Sequence, residues 1–163
     1  MQSPVSSYTH SLRSLAAILK TAVTHCDDRG IDPDVLLNAR LFPDMLNLIR
    51  NVLIACDTAK GLAARLSETE NPVFEDTETT FDELQERISK TIAFMESVPE
   101  AGFEGAEERE VVLKFGPEEA RFIGSAYLSN FAAPNFYFHM TTAYNILRHN
   151  GVVIGKRDFL GAA

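Results

Sequence analysis

The stretch that decides the fold is Pro134–Gly151, PNFYFHMTTAYNILRHNG. Its apolar residues recur at three- and four-residue intervals, which is the period of an amphipathic helix, and Ala143, Ile146 and Leu147 define the side that faces a core. Asn150-Gly151 ends the pattern. Asn135, His139 and Thr142 share the inward stripe with Ala132, so the imidazole points into protein rather than solvent. Pro134 lacks an N–H and clashes with the carbonyl four residues back, so the helix is expected to kink or divide there.

Working back toward the N-terminus, Gly124-Ser125 opens this last helix, whose first part carries Tyr127, Leu128, Phe131 and Ala132. Before it, Glu110–Phe115 and Ala120–Ile123 have the β-branched and aromatic content of a small hairpin turned by Gly116-Pro117-Glu118-Glu119. Phe81, Leu84, Ile88, Ile92 and Met95 mark a third helix, started by a Thr80/Glu83 capping box and stopped by Pro99. The acidic, threonine-rich segment 67–80 reads as a surface connection. The second helix is expected just after Pro43 and runs to Leu66 along Met45, Leu48, Val52, Cys56, Ala59 and Ala63. Gly61, inside it, costs up to about 1 kcal/mol relative to Ala and suggests a close helix contact. The first helix covers Tyr8 to Cys26 and ends at Gly30. A small helical turn is expected over 35–40, and the tail 152–163 reads as an extended segment whose Phe159 and Leu160 dock on the bundle or on another subunit. The sum is a single mainly α domain over 1–163, a four-helix bundle with a small β-hairpin between helices three and four.

Composition narrows function further. With 15 Lys and Arg against 23 Asp and Glu, the formal charge of −8 repels a phosphate backbone, so nucleic acid is not an expected partner. No apolar run is long enough for a membrane span and no signal peptide is visible, which points to the cytoplasm. Cys26 and Cys56 have neither metal-type nor redox-type spacing and read as buried thiols.

Bundle interiors are where small-molecule and metal sites are built from facing helices. The candidate pocket therefore comprises Asn135, His139 and Thr142, with Tyr144 able to add a hydroxyl and Asp57 on the second helix the carboxylate considered beside it. No catalytic residue is assigned. A divalent metal needs about three His, Asp, Glu or Cys ligands. His139 has no second histidine at helical spacing and is at most a lone metal candidate.

The segments LLNARLFPDMLNLIRNVLIACDTAKGLAARL, FEDTETTFDELQERI, EGAEEREVVLKFG and PNFYFHMTTAYNILRHNGVVIGKRDFLG resemble a bacterial family defined only as a domain of unknown function, itself similar to the DinB/YfiT-like helical bundles. That resemblance implies a four-helix, usually dimeric fold. It also implies a superfamily containing thiol-dependent S-transferases and isomerases with a divalent metal held by three histidines. The DinB-like pattern has two histidines four residues apart on the last helix. Aligning its Leu-Arg on Leu147-Arg148 places one on His139 and the other on Asn135, and the second helix offers none. The resemblance thus supports the pocket's location and argues against the usual metal.

Three readings follow. The first is a cytoplasmic homodimer with a metal-free, His139-centred pocket for a small molecule and no cofactor. The second is a transferase or hydrolase dependent on Zn, Ni or Mn. The third is a non-enzymatic interaction or stress-associated dimer.

Overall fold

The computed structural model describes residues 1–161. Four long helical stretches pack as a bundle: α1 (Val5–Arg29), α3 (Leu48–Ser67), α4 (Phe81–Ser97) and the pair α5 (Gly124–Ala126) and α6 (Ala133–His149), joined through a π-helical segment, Tyr127–Ala132. The short α2 (Pro33–Leu37) and α7 (Lys156–Leu160) flank them, and β1 (Glu110–Phe115) pairs antiparallel with β2 (Glu118–Ile123). Among the described residues no helix is long and apolar enough to cross a membrane.

Local sequence explains most boundaries. Gly30 adopts φ 62° just beyond α1, the left-handed conformation that glycine takes without Cβ strain. Thr80 and Glu83 form both halves of the capping box. The second long helix starts at Leu48, later than the pattern after Pro43 suggests, because the Asn47 side chain accepts the Arg50 N–H at 3.0 Å and caps it there. The hairpin turn is the two residues Gly116-Pro117, with Gly116 at φ 62°. Val111 and Leu113 are its buried face.

The change of helix type falls just before Pro134 rather than at it. The helix is already widened over Tyr127–Ala132, its ladder continues with the Ala133 N–H donating to the Leu128 carbonyl, and the proline, which has no N–H, enters at the next residue in the first turn of α6. The tail also differs from an extended strand. Gly155 N–H donates to the Asp158 carboxylate at 2.7 Å and starts α7, while Phe159 packs edge-on against Tyr144 with ring centres 5.7 Å apart. Leu160 keeps its side chain half exposed and gives its carbonyl to His10 Nε2 at 2.8 Å. Ala162 and Ala163, the end of that tail, lie outside the described residues.

The acidic connection 68–80 has no regular secondary structure but is clamped. Arg87 on α4, with 2 % of its surface exposed, donates to the carboxylates of Asp57 (3.0 Å), Asp76 (3.1 Å) and Glu78 (2.9 Å) and to the Glu75 carbonyl (3.0 Å). Phe74 lies between cations, with Lys60 Nζ 4.4 Å and the Arg87 guanidinium 5.3 Å from its ring centre. Burial pushes the Asp76 carboxyl up, but Arg50 and Arg87 outweigh it and hold the group below the usual carboxylate range. A depressed folded-state pKa stabilises above the unfolded value near 4 and loses that contribution as pH falls through the folded one.

Replacing the buried cation strands the largely buried Glu78 and takes one of two cations each from Asp57 and Asp76, which keep Lys60 and Arg50. Arg87→Met is expected to cost about 3–5 kcal/mol in urea unfolding and to open residues 69–79 to limited proteolysis. Unfolding at the wild-type urea concentration would exclude the clamp as a stabilising element.

Candidate functional site

α3 and α6 run side by side, and their polar residues meet in two pairs. His139 Nδ1 lies 2.9 Å from Asn51 Oδ1, and Asn135 Nδ2 donates to Thr58 Oγ1 at 2.8 Å. Asn51 and Thr58 are two helical turns apart on α3, and Asn135 and His139 are one turn apart on α6, so one face of each helix supplies both pairs.

The first pair fixes a tautomer. The Asn51 amide nitrogen donates to the carbonyls of Leu46 (3.0 Å) and Asn47 (2.8 Å), which turns its oxygen toward the ring. An amide oxygen only accepts, so Nδ1 of His139 carries the proton and Nε2 is left as a lone pair. His139 is buried, and burial alone holds its pKa below the ordinary histidine value. The side chain of Phe138 meets the ring edge-on at 5.2 Å.

The remaining candidates go elsewhere. Thr142 donates to the Phe138 carbonyl one turn back at 2.7 Å. Tyr144 packs on Phe159 of the tail. Asp57 belongs to the Arg87 clamp and also pairs with Lys60 at 3.2 Å. The structure therefore brings His139 to Asn51 and Asn135 to Thr58, and it sends Thr142, Tyr144 and Asp57 to three other contacts. On the second helix the sequence offers Asp57 as the candidate, and Asn51 is the residue that meets His139 instead. Its signal was an asparagine on the apolar stripe one residue before Val52, a position whose burial demands a partner.

At the two positions where the DinB resemblance expects metal ligands, His139 and Asn135, the side chains are one imidazole and one neutral amide, and the side chain that meets His139 from α3 is another amide. Asn51 offers its oxygen to His139, and Asn135 turns its nitrogen to Thr58. Amides of this kind are weak ligands for Zn, Ni or Mn, and this donor set does not fit the group. Among the described residues no cluster of three or more His, Cys, Asp or Glu side chains is arranged to hold an ion. Both thiols are buried, and burial pushes the Cys56 thiol up to about 12, far from the reactive thiolate range.

Two clefts adjoin the Thr58 end of the seam. A cleft of about 180 Å³ between α3, β1 and the π-helical segment is lined by Asp57, Thr58, Arg65, Lys114, Tyr127 and Phe131. A second, of about 410 Å³, shares Asp57 and Arg65 and continues along Lys60, Asn71 and Phe74. Neither has His139 in its lining. Gly61 explains part of this wall. A Cβ there would collide with the guanidinium of Arg65 one turn on, so the glycine makes room for its own helix's arginine rather than for a neighbouring helix.

A helical bundle with a hairpin before its last helix, and with a polar seam where a metal would stand, defines a DinB-like protein without the expected donor set. The chain belongs to the family described as domain of unknown function DUF1993, whose pattern matches residues 2–160. It is similar to a solved DinB family member protein from Shewanella denitrificans, with 42% identity, a TM-score of 0.92, and coverage of 98% of this chain and 90% of that one. No curated protein matches the chain.

The lowered His139 pKa carries a sign. Between the folded value and the unfolded value near 6.5, the unfolded chain binds the extra proton, so stability is complete above that window and falls as pH drops through it. His139→Gln is expected to flatten the dependence of urea stability on pH between 5 and 7, and nitrogen NMR of the wild type should show the Nδ1–H tautomer. An Nε2–H tautomer would contradict the Asn51 orientation.

Proposed function

We propose that this protein is a metal-independent small-molecule-binding bundle whose site is the α3–α6 seam, reached through the cleft beside Thr58. The observation that carries this reading is the Asn135–Thr58 hydrogen bond, which ties the signature helix to a residue lining that cleft. His139, held by Asn51, fixes the packing of the seam one turn further in. The walls combine aromatic surface from Tyr127 and Phe131 with a few directed polar groups, the composition of small-molecule sites. The cytoplasmic location and homodimeric assembly expected from the sequence belong to the same reading.

A fragment screen by NMR on protein purified without a histidine tag tests it. Ligands are expected to perturb Thr58, Tyr127 and Asn135, to bind equally in EDTA, and to lose about tenfold or more in affinity when Thr58→Trp fills the cleft. Binding that vanishes in EDTA and returns with Zn, Ni or Mn would replace this reading by the metal-dependent transferase or hydrolase.

A second reading, a non-enzymatic interaction protein working as a dimer, draws on large apolar side chains left in solvent, Phe42 at 63 % and Phe138 at 58 % exposure. It expects Phe138→Ser to convert a dimer to a monomer in light scattering at micromolar concentration. A mass unchanged by the substitution would remove Phe138 from the interface.

A further inference from the structure

We propose that the cleft between α3, β1 and the π-helical segment binds the oxyanion end of a small organic anion, a carboxylate or a phosphate monoester, through Arg65, Lys114 and the hydroxyls of Thr58 and Tyr127. This rests on the reading that the cleft beside Thr58 is a ligand site and adds the class of ligand it takes.

The argument begins with unused donors. Thr58 Oγ1 accepts from Asn135 Nδ2, and Tyr127 Oη accepts from Arg65 Nη1 at 3.2 Å. Each hydroxyl is thereby fixed as an acceptor on one side, and its own proton has no acceptor among the described residues. Thr142, by contrast, spends its proton on the carbonyl one turn back. Thr58 and Tyr127 have 9 % and 1 % of their surface exposed and both line the cleft, so their hydroxyl protons are available to an acceptor entering it.

The cations point the same way. Arg65 makes the single bond to Tyr127 and has no carboxylate partner among the described residues, which leaves most of its five N–H groups unspent. Lys114, on β1, lines the same cleft and likewise has no ion pair among the described residues, since Glu119 opposite it in the hairpin pairs with Arg121 at 3.1 Å. In a chain with eight more acidic than basic residues, two cations without carboxylates on one cleft are an unfilled demand. Asp57, also in the lining, carries the opposite charge but is neutralised by Arg87 and Lys60. The backbone agrees, because Tyr127 and Phe131 sit on a π-helical segment, a distortion that recurs at functional sites.

Isothermal titration of the whole chain with phenyl phosphate, benzoate and the neutral benzyl alcohol tests the proposal. At least one anion is expected to bind, about tenfold or more tighter than the alcohol, and comparison of the two anions distinguishes a phosphate from a carboxylate ligand. Arg65→Gln and Lys114→Gln should each weaken it by about tenfold, whereas Arg157→Gln, in a separate cleft near α7, should leave it unchanged. Gly61→Ala supplies a variant expected to fold at least as well as wild type, because it displaces only the flexible Arg65 head, and it should also weaken the anion. Benzyl alcohol binding as tightly as the anions, or anion binding indifferent to Arg65→Gln and Lys114→Gln, overturns the ligand class and leaves the cleft reading standing. No binding of any of the three probes to wild type overturns both.

Discussion

The constraint on which the rest depends is the burial of α3. Leucines, alanines and valine occupy most of its surface, and Asn51, Thr58, Lys60 and Gly61 are buried along with them. A helix enclosed on nearly every side cannot leave its polar side chains to solvent, so each one has to find a partner in a neighbouring element. Asn51 and Thr58 take His139 and Asn135 on α6, Asp57 takes Arg87 on α4, Lys60 takes the Pro72 carbonyl and the Phe74 ring in the connection, and Arg65 takes Tyr127 in the π-helical segment. The bundle's packing is apolar, while its registry is set by this row of polar contacts.

The same constraint separates two kinds of polar group. Inside the seam, His139 is enclosed, neutral and tied to an asparagine whose own protons are fully used, which suits a part that locks two helices together. At the Thr58 end, hydroxyls and cations have donors to spare beside an open cleft. A resemblance to metal-dependent bundles directs attention to the first group. Hydrogen-bond capacity directs it to the second, a short distance along the same helix.

Much of the architecture was legible in the sequence. The apolar stripes of α1, α4 and α6, the Thr80/Glu83 box, Gly30 and the hairpin all carry their causes within a few residues. The departures have local causes as well, since Asn47 moved the start of α3 and Asp158 turned the tail into α7. The π-helical segment was not legible, because a proline announces a distortion without saying on which side of itself the backbone will absorb it.

The candidate site divided differently. Periodicity placed Asn135, His139 and Thr142 on one stripe, because that statement concerns spacing along one helix, and the resemblance to the DinB-like pattern implied that two of its three histidines were lacking, one on the last helix and one on the second. Which residue each would meet depended on the neighbouring helix, the connection and the tail. Only the packed structure paired His139 with Asn51, drew Asp57 to Arg87 and left Arg65 and Lys114 on a cleft, since hydrogen bonds and ion pairs between distant segments are decided by three-dimensional proximity and by which donors remain unspent once the core has closed.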